Sequence, residues 1–173
     1  TVPAEDLARF MKYLLTDFTR SSERVRIAIY LLWLTGQRAD EILKIKWEDI
    51  IVDDLNKQMV LMIRNKKSKR KNDKRGDNVW PVYLTQDILN LFNTIPRIEN
   101  NPFVFWTDRG RKDGSRTLSS SLLNDCIKKV CAEIGMPTFS PHDIKRSIVT
   151  QDYHKRGVEA VKIITGNKSD KVL

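Results

Sequence analysis

Three groups of residues in this chain have types and spacings that suit the handling of phosphate. Arg38 follows Thr35-Gly36 and opens the segment TGQRADEILKIKWEDI, residues 35–50. Gly36 suits a helix stop, because glycine takes the left-handed conformation at little cost. At the mouth of the next helix, unpaired amides and the dipole attract anions. A cation there calls for a negative partner, either an internal carboxylate (Asp40 and Glu41 are near in sequence) or a bound phosphate. The second group lies in FSPHDIKRSIVT, residues 139–150. Ser140 is a good N-cap and Pro141 a good first-turn residue, so His142, Lys145 and Arg146 fall on the opening turns of a helix, three and four apart on adjoining positions. The third group is a run in which seven of the ten residues 66–75 are Lys or Arg. Such a run grips backbone phosphates through charge alone. Each group also has a plainer reading: a structural ion pair, a solvated basic helix end, and a solvated loop.

Composition narrows the choice of partner. The 173 residues carry 31 Lys+Arg against 22 Asp+Glu, a formal charge of +9 with a pI near 9.6. An excess of that size favours polyanions through counterion release. No apolar run is long enough to span a membrane, no signal-peptide pattern opens the chain, and no basic helix has a broad apolar face. A membrane partner is therefore the weakest reading. Cys126 and Cys131 lie five apart, which suits neither a zinc site nor a bridge along a helix, so they are read as reduced and cytosolic. With two histidines and no clustered acidic ligands, no structural or catalytic metal is expected.

The elements that must position these groups follow from periodicity and caps. Leu7, Phe10, Met11 and Leu14 predict a helix over 3–18, and Ser21 or Ser22 caps a second, nearly all-apolar helix through Leu34. The Arg38 helix comes next. Met59–Ile63 and Val79–Leu84 read as strands joined by the long basic hairpin loop. Thr85 caps a helix from Asp87 to about Thr94, and Pro102–Trp106 is a short apolar element. Thr117 or Ser119 caps a long helix that Gly135 stops. The Ser140 helix runs to about Arg156, and a short helix over 158–164 follows. Together these predict a mainly α domain with a small antiparallel β-sheet, an α+β fold, in one unit.

The motifs TG-x-R-x-x-E-I-x-x-x-x-W-x-D-I and PHDIKRS resemble the arginine box and the His box of the tyrosine recombinases, the phage-type integrases. Two further stretches resemble that family in the same order along the chain. One is the lysine hairpin IRNKKSKRK followed by VWPVYLT, where Pro81 matches. The other is ITGNKSD, where Gly166 matches and Asn167 stands at a histidine position. The resemblance covers nearly the whole chain and implies the integrase catalytic-domain fold. It implies a site-specific recombinase that cleaves and rejoins double-stranded DNA through a 3′-phosphotyrosyl intermediate, without metal or cofactor. A type IB topoisomerase or telomere resolvase shares this chemistry, and a DNA-binding relative without strand transfer is the other alternative.

In that family pattern Arg38 clamps the scissile phosphate, His142 serves proton transfer, and Lys66 or Lys67 protonates the leaving oxygen. Lys69, Arg70, Lys71 and Arg146 would bind DNA, and Glu41 would support Arg38. Two positions depart from the pattern: Lys145 replaces the second arginine, losing its planar fork, and Asn167 cannot carry a proton. None of Tyr13, Tyr30, Tyr83 and Tyr153 follows the Gly166-Asn167 turn, where the family places its nucleophile. The resemblance therefore predicts that residues 1–173 are a single catalytic domain ending before that tyrosine and lacking the amino-terminal DNA-clamping domain. It also predicts assembly as a homo-oligomer, a tetramer, when synapsed on DNA, and action in the cytoplasm of a bacterial or phage-infected cell.

Overall fold

A computed structural model describes residues 1–55, 57–65, 78–109 and 116–156. The order of elements is α1 (Ala4–Thr16), α2 (Glu23–Thr35), α3 (Ala39–Leu43), a 3-10 turn (Trp47–Asp49), β1 (Ile50–Asp53), β2 (Gln58–Asn65), β3 (Asn78–Tyr83), α4 (Gln86–Asn93), α5 (Ser120–Ile134) and α6 (Pro141–Arg156). The mainly helical reading with a small antiparallel sheet agrees with this order. The chain divides into two compact units, one formed by Thr1–Ala39 with Ser119–Leu173 and the other by Asp40–Leu118.

Among the described residues, the first unit is a cluster of the four helices α1, α2, α5 and α6. In α1 the periodic residues Leu7, Phe10, Met11 and Leu14 are all buried, and each such side chain contributes about 1.5–3 kcal/mol on leaving water. Phe10 meets Phe139 edge to face at 4.9 Å between ring centroids. Helix α2 buries residues most of the way round, from Val25 to Leu32, and packs against α1, α5 and α6. It ends at Gly36 with φ 61°, and α5 ends at Gly135 with φ 66°. An L-residue at either point would cost about 1–2 kcal/mol. Cys126 and Cys131 lie on α5 as buried free thiols. Burial pushes both up from the ordinary thiol range, which suppresses the reactive thiolate.

The second unit holds the sheet, in the order β1-β2-β3 with antiparallel neighbours. Strand β1 is absent from the sequence-based expectation. Its four residues are too few to display an alternation, and Ile51 and Val52 stay exposed. Register places Leu61 opposite Ile50 and Val82, and Ile63 opposite Trp80. Leu61 and Ile63 are buried, whereas Ile51 and Tyr83 on the opposite face remain exposed. Helix α4 follows from its Thr85 N-cap, whose hydroxyl accepts the Ile88 N–H at 3.4 Å. The apolar stretch 102–106 forms two isolated bridges, Phe103 with Lys46 and Trp106 with Thr117.

The anchor of this unit is Asp49, which is 4% exposed. One carboxylate oxygen accepts the Lys46 N–H at 2.9 Å and the other accepts Arg64 Nε at 3.2 Å. The pair joins the last turn of the arginine box to the end of β2. A buried carboxylate that loses its cation is left uncompensated, which costs more than the intact pair contributes. Arg64→Ala is therefore expected to destabilise the protein by about 2 kcal/mol, discounted because Arg64 is half exposed. Adding Asp49→Asn removes the stranded charge, so the double variant should recover stability relative to Arg64→Ala. Urea-denaturation midpoints measure both. A double variant less stable than Arg64→Ala would show that charge stranding is not the cause.

Candidate functional site

Arg38 is placed by backbone and hydroxyl chemistry. Thr35 Oγ donates to the Leu31 carbonyl at 2.7 Å and accepts the Gln37 N–H at 3.3 Å. Gly36 N–H closes the helix on Leu32 O at 2.9 Å. Thr35 and Gln37 are both buried, so the turn is rigid when it releases the half-buried Arg38. The expected amphipathic helix beyond it is only the five residues of α3. A helix of that length sums few peptide dipoles, so the locked Thr35–Gln37 turn positions Arg38 rather than a helix field.

Helix α6 begins where Ser140-Pro141 predicts. Ser140 N–H and Oγ–H both donate to Asp143 Oδ2, at 2.9 and 2.7 Å, while the Asp143 N–H donates back to Ser140 Oγ at 3.3 Å. This is a reciprocal capping box in which Asp replaces the usual Glu. Both Ser140 hydrogen bonds, the hydroxyl's above all, hold the Asp143 carboxyl below its ordinary range. Asp143 was missed as a site-shaping residue in the sequence, although the three-residue spacing Ser140 to Asp143 was its signal.

The three basic candidates on α6 separate by exposure. At 3.6 residues per turn, His142 and Arg146 lie only about 40° apart around the helix, and Lys145 is about 60° from His142. His142 and Arg146 are exposed, as this predicts for one shared face. Lys145 is 8% exposed and sits at the edge of the buried face with Ile144 and Ser147. Glu41 is buried and belongs to the second unit. Arg38, His142, Lys145 and Arg146 all belong to the first unit. Helix α2, which leads to Arg38, packs on α6. Lys66, Lys67, Lys69, Arg70, Lys71 and Asn167, with the expected helix over 158–164, lie outside the described residues.

Three of the tyrosines have structural surroundings. Tyr13 OH donates to Glu133 at 2.7 Å, and that hydrogen bond raises its pKa above the ordinary phenol value. Tyr30 packs beside Trp33 at 5.8 Å between ring centroids. Tyr83 is exposed on the sheet, its OH 3.5 Å from Asp53. Among the described residues, no cluster of His, Cys, Asp and Glu is arranged to hold a metal, and no helix is long and apolar enough to cross a membrane.

The chain matches the model of the phage integrase family over residues 1–170. No curated protein matches it in sequence. Among solved structures it is similar to the XerH site-specific recombinase bound to its difH substrate, with 20% identity and a TM-score of 0.72 over 97% of this chain and 47% of that one. It is similar to a lambda integrase tetramer bound to a Holliday junction, with 16% identity and a TM-score of 0.64 over 99% and 48%. The lambda integrase catalytic core gives 15% identity and 0.64, over 99% and 98%. The chain thus spans about half the length of the first two. At these identities the likeness is one of fold.

The lowered Asp143 pKa fixes the direction of a pH effect. The folded value lies below the unfolded one, so the cap's stabilisation is present above the ordinary carboxylate range and is lost as pH falls through the folded value. Asp143→Asn removes this titration while keeping an acceptor oxygen. Thermal melts across the acidic range should therefore show a smaller loss of Tm for Asp143→Asn than for the parent. Parallel curves would mean the cap does not titrate.

Proposed function

This chain belongs to the phage integrase family, and we propose that it supplies the catalytic core of a site-specific DNA recombinase. The supporting observation is the family match over residues 1–170, in a fold whose first unit carries Arg38 in the turn after α2 and His142 on α6, two helices that pack together. In this reading a tyrosine oxygen attacks a DNA phosphorus, the bond to the 5′-oxygen breaks, and a 3′-phosphotyrosyl link forms. A 5′-hydroxyl of the partner strand then attacks the same phosphorus and releases the tyrosine. The bond energy is retained in the link, so the cycle needs no nucleotide hydrolysis.

Each role follows from the charge that the reaction develops. The non-bridging oxygens gain negative charge, and the Arg38 guanidinium offers them a bidentate clamp. His142, exposed on the first turn of α6, takes part in proton transfer near the attacking oxygen. Lys145 adds a point charge where the family has an arginine's fork. Lys66 or Lys67 protonates the leaving 5′-oxygen, and Asn167 hydrogen-bonds a phosphate oxygen. Lys69, Arg70, Lys71 and Arg146 bind the DNA backbone, while Glu41 supports Arg38. The working partner is double-stranded DNA, and the working assembly is a homo-oligomer, a tetramer at synapsis. XerH on difH and the lambda integrase tetramer on a Holliday junction support both points by likeness.

The test is covalent trapping of the full-length protein on a nicked suicide duplex, read by a denaturing gel. Arg38→Ala is expected to abolish the adduct while leaving most DNA affinity, because affinity is spread over many phosphate contacts. Trapping at the parent rate would make Arg38 structural. Retained binding with no adduct from the parent protein would favour a DNA-binding relative. Lys145→Arg restores the planar fork, so single-turnover cleavage is expected to be equal or faster. A large loss would show that the buried lysine has a role an arginine cannot fill.

A further inference from the structure

We infer that Asp143 is a positioning residue for His142, acting through the first turn of α6; the inference rests on the recombinase reading for its catalytic readout alone. His142 is the second residue of its helix, after Pro141. The first amides of any helix lack intrahelical partners, and this is where helices fray. The His142 imidazole is exposed, so packing does not hold it, and its place depends on the backbone beneath it.

That backbone is bracketed by one carboxylate. Asp143 Oδ2 accepts both Ser140 N–H and Ser140 Oγ–H, at 2.9 and 2.7 Å. The Asp143 N–H returns to Ser140 Oγ at 3.3 Å and to Ser140 O at 3.0 Å. The closed loop of hydrogen bonds spans Pro141 and His142 alone. On its far side, the Asp143 carbonyl accepts Ser147 Oγ–H at 2.8 Å. Ser147 is 1% exposed and itself accepts the Val2 N–H at 2.7 Å. Asp143 therefore joins the cap to the buried body of the first unit: its side chain reaches back around His142 and its carbonyl reaches forward to a fixed serine. If the box opens, His142 leaves the helical turn that sets its spacing to Lys145 and Arg146.

Losing a whole N-cap shifts the equilibrium of a first turn by about fivefold, and Asp143→Ala opens the box while Ser140 still accepts the residue-143 N–H. In single-turnover cleavage of the suicide duplex by the full-length protein, Asp143→Ala is expected to be slower by a factor of at most about five, with unchanged DNA affinity. Asp143→Asn should cleave near the parent rate, because its amide oxygen still accepts both Ser140 donors. Ser140→Ala combined with Asp143→Ala should be slower than Asp143→Ala alone, because it also removes the hydroxyl that accepts the residue-143 N–H. A second readout needs no activity. His142 and His154 are the two histidines, so in NMR the His142 ring signal should shift or broaden in Asp143→Ala, not in Asp143→Asn, while His154 is unchanged.

Parent-rate cleavage by Asp143→Ala, or an equal loss in Asp143→Asn, overturns the inference. A rate loss explained by weaker DNA binding does the same. Circular dichroism at the assay temperature confirms that each variant is folded. If the parent protein forms no adduct, the recombinase reading has failed, and the His142 signal alone then decides whether Asp143 positions that ring.

Discussion

The second unit depends on one buried carboxylate having a donor for each oxygen. Asp49 lies where the last turn of the arginine box meets the end of β2, and it takes the Lys46 amide on one side and the Arg64 guanidinium on the other. Around it the same short segment is sewn to the 102–104 stretch, through Trp47 N–H to Pro102 O and Val104 N–H to Ile45 O, both 3.0 Å. Desolvating a carboxylate is costly unless it is paired, so this geometry has little freedom to drift. The consequence is register. A slip of one residue along β2 would exchange the buried Leu61 and Ile63 for the opposite face, and the Asp49–Arg64 pair would be lost with it.

In the first unit, polar groups fix backbone instead of neutralising charge. Thr35 locks the turn before Arg38, and Ser140 with Asp143 locks the turn that carries His142. Neither device uses a basic candidate as its partner. His142 and Arg146 are left facing solvent, on a chain whose net charge is +9.

Much of the fold was legible before any coordinates, because its signals are local. The α1 stripe, the Thr85 cap, the Gly135 stop and the Ser140-Pro141 start each involve residues within one or two turns of each other. Strand β1 was not legible, since four residues with two exposed hydrophobics carry no alternation to read. Its pairing with Gln58–Leu61 is what makes it a strand. The Arg38 segment reads as a turn into a helix, and the structure gives that helix five residues. Its apolar residues Ile42 and Ile45 are buried, and the chain nevertheless leaves the helix after Leu43 to pair with the 102–104 stretch.

The sequence by itself determined the residue types able to meet a phosphate, their order, and the local caps that start and stop the helices carrying them. Caps and periodicities are interactions between neighbours in the chain, so they survive without tertiary context. Tertiary structure alone decided which of those residues face solvent. Helical spacing put Lys145 beside His142, yet packing of α6 against α1, α2 and α5 buried one and exposed the other. It also decided that Asp49 is a buried tie and not a surface acid. Burial depends on which distant surfaces come together, and no residue's immediate neighbours encode that.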